Sequence, residues 1–173
     1  MMITENKRNI MADFQQYLDF NDNEFKERQL QAFKATHLST FAKKAICHIA
    51  EPQQWLLLGE PFCPDCVVLV SLVQKMAELN PNIRIKYVAR KDYHDRTQFD
   101  SDAQQQTVVE THSIPSLFRI DGDNTIVVLQ EFPPFLKQRM EVDADNYETL
   151  RAAYRAGKYN AELETELVRV FCA

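Results

Sequence analysis

Glycine is nearly absent from this chain, with three residues in 173. No internal repeat, low-complexity segment or long Gly/Ser linker occurs, which fits a compact chain with few flexible joints. Cysteine is also sparse. The four residues Cys47, Cys63, Cys66 and Cys172 are too few for a disulfide scaffold in a chain of this size. Long apolar runs are missing. Val67–Val70, ahead of Leu72 and Val73, and Ile126–Leu129 are the longest, far short of the roughly 18 residues of a membrane span. The opening Met-Met-Ile-Thr-Glu-Asn-Lys-Arg has no apolar stretch and no small-residue cleavage site, so no secretory signal is expected. The expected compartment is therefore the reducing cytosol. Nor is there an excess of positive charge. Twenty Lys and Arg face 25 Asp and Glu, a net charge of -5, which argues against a non-specific nucleic-acid binder. Neither nucleic acid nor membrane is an expected partner.

What remains is ordinary globular composition, 45% hydrophobic and 26% charged. Disorder, collagen and a simple coiled coil fit it poorly. The length predicts one domain with an extension. A chain this long buries about two-thirds of its unfolded surface and needs no disulfide or metal to fold.

The first fifty residues read as helices. Ile10, Phe14, Tyr17 and Leu18 recur at helical spacing. Asn21-Asp22-Asn23 breaks the pattern and is expected to cap a helix carrying Phe25, Leu30 and Phe33. A third helix starts at Ser39 or Thr40, with Leu38, Phe41, Ala42, Ala45, Ile46 and Ile49 on one apolar face. Cys47, among these residues, is expected to be buried. Pro52 ends the helix. Trp55–Leu58 is a continuous apolar run between Pro52 and Gly59, expected as a strand buried on both faces. The run from Val67 to Leu79 opens β-branched, yet Leu69, Leu72, Val73 and Met76 fit a helix. Ile83, Ile85 and Tyr87 alternate with Arg84 and Lys86 as a second strand. Residues 92–111 read as one or two short helices. Leu117–Ile120 and Thr125–Leu129 flank the turn signal Asp121-Gly-Asp-Asn124, which predicts a hairpin. Phe132 and Phe135, around Pro133-Pro134, are expected to cover the sheet. Helices follow near Tyr147–Tyr154, closed by Gly157, and over Leu163–Phe171. The order implies an α/β fold: a mixed sheet with helices on both faces, residues 1–50 forming a helical extension to a domain over 51–173.

The chemistry sits in Glu60-Pro61-Phe62-Cys63-Pro64-Asp65-Cys66, between the first strand and its helix. At a helix N-terminus Cys63 lies beside unpaired N–H groups and the positive end of the macrodipole, and both favour the reactive thiolate. Cys66 stands one turn on, within reach of a mixed disulfide formed by Cys63. Pro64 occupies the first helical turn, where proline is best tolerated. Cys63 is thus the expected nucleophile and Cys66 the resolving thiol. A zinc site would need a second ligand cluster, and Cys47-His48 is the only other one, mid-helix and without ligand spacing. No metal and no organic cofactor are expected.

These residues resemble the thioredoxin-like superfamily. The resemblance rests on the Trp55–Leu58 strand, the Phe62–Cys66 turn, Ser113-Ile114-Pro115-Ser116 before a strand, and the hairpin turn. It covers residues 51–132, and the Glu-x-aromatic-Cys-Pro-Asp-Cys form is most similar to a bacterial subfamily. The resemblance implies that the Ile114–Pro115 bond is cis and faces the cysteines. Ile114 would then dock an extended substrate through its backbone, with Phe62 as an apolar lip. Three departures stand out. Leu57 occupies the place of a buried acid that accepts the resolving thiol's proton, so Glu60 or Asp65 would have to substitute. The dipeptide Pro-Asp puts a carboxylate beside Cys63, which opposes the helix dipole and predicts a thiol pKa near 7. His112, three before Pro115, would stabilise the thiolate if it faces the cysteines; a solvated loop histidine is the plainer reading.

The implied activity is cytosolic thiol–disulfide oxidoreduction on a disulfide-containing protein or a small thiol substrate, with an unidentified reductase restoring the dithiol. The alternative is a protein-binding adaptor or redox sensor with little turnover. Residues 1–50 would cap the sheet, extend an edge or form a homodimer contact.

Overall fold

The computed structural model describes residues 13–173. Ile10 of the first predicted helix lies outside them. In chain order the helices are α1 (13–18), α2 (Lys26–Ala35), α3 (Thr40–Cys47), α4 (Pro64–Leu79), α5 (Asp102–Thr111), α6 (Pro134–Val142), α7 (Tyr147–Arg155) and α8 (Asn160–Cys172). The strands are β1 (Gln53–Gly59), β2 (Ile83–Ala89), β3 (Ser116–Asp121) and β4 (Asn124–Gln130).

The uninterrupted apolar run of β1 follows from its central position. The sheet order is β2-β1-β3-β4. Side chains alternate between faces along a strand. Trp55 and Leu57 therefore join a core with α3, α4 and α8, while Leu56 and Leu58 join a second cluster with Val88, Phe99, Val108 and Phe118. Both faces of β1 are covered by apolar side chains. β1 pairs parallel with β2, setting Trp55 beside Ile85 and Leu57 beside Tyr87. It pairs antiparallel with β3, setting Leu56 beside Phe118. β3 and β4 close as the expected hairpin, with Gly122 at φ +59 where it meets no Cβ clash.

The β-branched opening of α4 is helical because burial overrides propensity. Val67 to Val70 are all buried, and Pro64 at N1 is already set for helical φ. Gln29 of α2, fully buried, donates to Ser71 Oγ at 3.0 Å and so fixes α2 on α4. Asn80 stops α4 and serves α3 as well: its Nδ2 donates to the carbonyls of Ile46 (2.7 Å) and Ile49 (2.9 Å). The helices before residue 50 belong to the main core. Phe14, Tyr17, Leu18, Leu38, Ala42 and Ile46 pack in one cluster with Trp55 and Leu57. Among the described residues no helix is long and apolar enough to cross a membrane.

Three expectations are corrected. Cys47 is exposed; at about 100° per residue it lies some 140° round α3 from Ala42, away from the buried stripe. Phe41, expected on the apolar face, is 63% exposed, because Leu38, Ala42 and Ile46 fill that stripe at i, i+4, i+8. The Asn21-Asp22-Asn23 break forms a 3-10 turn, Phe20–Asn23, and α2 starts after Phe25 with no side-chain cap. Pro133-Pro134 starts a helix: Pro134 is the first residue of α6, whose Leu136 and Met140 are buried. Phe132 is buried in the core, as expected of a residue covering the sheet.

α8 closes the structure by covering Trp55. Phe171 meets the indole edge-on with centroids 4.7 Å apart, and its carbonyl accepts from Gln53 Nε2 at 2.6 Å. Phe171→Ala is expected to lower stability by about 3–5 kcal/mol. Urea denaturation followed by the fluorescence of the single tryptophan checks this; a midpoint within error of the parent would show that α8 does not support the core.

Candidate active site

The site begins where β1 runs out. At Gly59 a Cβ would lie 3.1 Å from Leu57 Cδ2, 3.5 Å from Cys66 Sγ and 3.6 Å from Tyr17 Cε2. The tight contact is with the Leu57 side chain, and the Cys66 sulfur lies at ordinary van der Waals distance. The chain then turns through Glu60–Phe62 and enters α4. Cys63 is the N-cap residue, with φ -81 and ψ 117, and its N–H donates to the Glu60 carbonyl at 3.1 Å. Its carbonyl accepts from Val67 N at 3.2 Å, the first helical bond. Cys63 is therefore half-exposed at the positive end of a sixteen-residue helix, and Cys66 is fully buried one turn below.

All four cysteines are free thiols. The Cys63 thiol is lowered to about 7. The Cys66 thiol beside it is the largest cause, burial works against it, and the Cys66 N–H adds to the lowering. The Asp65 carboxylate pushes the other way, as its place in the motif predicts. Cys66 is held well above the ordinary thiol range, first by burial and then by Cys63; the Glu60 N–H partly offsets this. The lowered thiol is thus the half-exposed one and the raised thiol the buried one.

Neither candidate carboxylate is free. Glu60 is buried, accepting from Asn21 Nδ2 at 2.6 Å and from Lys91 N at 3.0 Å. Asp65 is buried and held by both arms of Arg155, Nε to Oδ1 at 2.8 Å and a terminal nitrogen to Oδ2 at 3.0 Å. Leu57, in the acid's place, is wholly buried in the core. Two phenols adjoin the dithiol instead. The hydroxyls of Tyr17 and Tyr154 are buried without a hydrogen-bond partner among the described residues. Burial, above all, pushes both pKa values up, and the charges of Cys66 and Cys63 add to it.

Phe62 is 40% exposed and stands edge-on to Phe25 at 6.3 Å, on which Arg28 stacks at 5.1 Å. Arg28 also donates to the Pro61 carbonyl at 2.7 Å. The N-terminal helices thus build one side of the rim. The Ile114–Pro115 bond is cis. Ile114 packs in the cluster that holds Cys66, and Cys63 packs against that cluster. Among the described residues neither the N–H nor the carbonyl of Ile114 has a hydrogen-bond partner. His112 is exposed at the left-handed end of α5, with Nδ1 3.0 Å from the Glu110 carbonyl, and is hydrogen-bonded to neither cysteine. No three His, Cys, Asp or Glu side chains converge as a metal site among the described residues.

Sequence reasoning missed Asn21, Arg28, Arg155 and the two tyrosines. Only Asn21 left a local sign, since asparagine tolerates the left-handed conformation it adopts here at φ 58. Arg155 lies 90 residues from its partner, and no short motif connects them.

A family profile described as thioredoxin matches residues 11–165. The chain belongs to the thioredoxin family. The match begins well before the expected extension ends, in keeping with the shared core. Among solved structures, this thioredoxin-family chain is similar to a protein of unknown function, PA1234, from Pseudomonas aeruginosa. The two are 21% identical with a TM-score of 0.67, over 92% of this chain and 89% of that one. An HIV epitope-scaffold is similar at 20% identity and the same TM-score, over the same shares. At this identity the likeness concerns the fold. No curated protein matches the chain.

Iodoacetamide alkylation of Cys63 should rise through a midpoint near 7 and then level off, with Cys66 protected in the folded protein. Cys66→Ala removes the largest lowering influence and should move that midpoint upward. Site-resolved mass spectrometry across pH checks both, and a parent midpoint at the free-cysteine value of about 8.5 would contradict this account.

Proposed function

We propose that this chain is a cytosolic thiol–disulfide oxidoreductase. The observation that carries the proposal is the pairing of a half-exposed Cys63 thiol, lowered to about 7, with a buried, protonated Cys66 one helical turn away. The Cys63 thiolate attacks a substrate disulfide. A Cys63–substrate S–S bond forms, the substrate's own S–S bond breaks, and the departing thiolate takes a proton from water. Cys66 then loses its proton to solvent and attacks the Cys63 sulfur. The Cys63–Cys66 disulfide closes and the second substrate thiolate leaves. The substrate gains two electrons and the dithiol loses two. A separate reductase, carrying its own dithiol, returns the pair to the reduced state.

Docking uses the unpartnered N–H and carbonyl of Ile114, beside Pro115, for an extended substrate backbone. The exposed ring of Phe62 serves as the lip. This suits a disulfide in a flexible protein segment or a small disulfide. Neither nucleic acid nor membrane enters the proposal. Asp65 acts as a tuning charge; Glu60, bound by Asn21 and the Lys91 N–H, holds the loop in place.

Insulin reduction coupled to a chemical dithiol tests the reading. The parent should accelerate precipitation, and Cys63→Ser should fall to background. Cys66→Ser should stall as a mixed disulfide with substrate, visible on a non-reducing gel and lost on adding dithiothreitol. A parent no faster than Cys63→Ser would favour the adaptor reading, in which the groove binds without turnover.

A further inference from the structure

We infer that Arg155 is a positioning residue for the dithiol: its guanidinium clamps the Asp65 carboxylate and cancels the charge that this carboxylate imposes on the Cys63 sulfur. The inference rests on the oxidoreductase reading and deepens it.

The geometry singles out this contact. Asp65 lies between the two cysteines and its side chain is 6% exposed, so its charge is little screened by water. Arg155 meets both carboxylate oxygens, at 2.8 and 3.0 Å, in the forked arrangement that a lysine cannot reproduce. Other arginine ion pairs near the C-terminus, Arg151–Glu148 and Arg169–Glu166, join neighbouring turns of one helix with at least one partner well exposed. Arg155 instead reaches across from α7 to α4. The adjacent Tyr154 is fully buried and fixes the end of α7 against the core. The guanidinium is thus held in place from its own helix as well as by the carboxylate.

The groups facing Cys63 can be taken by element. From α4 come Cys66 and Asp65. From the preceding loop comes Glu60, whose carboxylate accepts from Asn21 Nδ2 and Lys91 N. From α1 comes Tyr17, and from α7 come Tyr154 and Arg155, each of which senses the Cys63 charge. Arg28 of α2 is directed to the Pro61 carbonyl, and His112 to that of Glu110. Asp65 is the one carboxylate that disfavours the thiolate from inside the motif, and Arg155 is the cation bonded to it. Removing the cation leaves a bare negative charge beside the nucleophile. Removing the carboxylate leaves a bare positive charge. Removing both restores neutrality.

The test is the pH dependence of Cys63 alkylation in the full chain, for parent, R155M, R155K, D65N and D65N/R155M. Near-UV circular dichroism and Trp55 fluorescence report that each is folded. R155M should titrate above the parent; a rise of one pH unit slows alkylation at pH 7 about fivefold. R155K keeps the charge without the fork and should rise less. D65N should titrate below the parent. The double variant should fall between the two single ones. D65N retains the arginine, so the claim stays testable if R155M fails to fold. Folded single variants that titrate with the parent overturn the inference and leave the oxidoreductase reading standing. A double variant that titrates with R155M also overturns it, because charge cancellation is then absent. If the parent's Cys63 and Cys66 form no disulfide under mild oxidant, the underlying reading falls, and the inference with it.

Discussion

Everything in this molecule converges on the start of α4. A helix of sixteen residues, buried on nearly every side, is held with its N-terminus at the end of the central strand. Its unpaired N–H groups and dipole meet the sulfur of the N-cap residue. The sheet, the second apolar cluster and the C-terminal helices all constrain that junction. β1 cannot slide by one residue without exchanging Trp55 and Leu57 for Leu56 and Leu58 across its two faces. The position of Cys63 is therefore fixed by the register of a strand it does not belong to.

The helices before residue 50 change how the fold is seen. They add to the main core, and they also hold the loop that precedes the cysteines. Asn21 binds Glu60, Arg28 binds the Pro61 carbonyl, and Gln29 binds Ser71 on α4 itself. Three successive points of the motif's approach and its helix are thus tied to one N-terminal stretch. α7 holds the motif from the other direction through Asp65. The sheet-to-helix junction is thus held by contacts from both ends of the chain.

Features set by local chemistry could be read from the sequence, and those set by distant contacts could not. The Trp55–Leu58 run declared a doubly buried strand. The turn at Gly122 declared a hairpin. The motif before the apolar run placed Cys63 at a helix N-terminus and Cys66 one turn inside it. In contrast, Ser39–Glu164 and Asp65–Arg155 join residues 125 and 90 positions apart, and nothing near either partner announces the other. Two local signals were also ambiguous in themselves. The Pro133-Pro134 pair carried no expectation of a helix, yet proline is well suited to the first turn of one, as in α6. Cys47 has apolar neighbours in sequence but sits on the far side of its helix, since adjacency in the chain is not adjacency on a face.

The packing at Gly59 joins the end of β1 to the site. A Cβ there would press on the Leu57 side chain at 3.1 Å and meet the Cys66 sulfur at ordinary contact distance, 3.5 Å, so the strand end and the buried thiol pack as one unit. A side chain at this point would have to displace Leu57 inside the core, whereas the charges of Asp65 and Arg155 lie outside that contact.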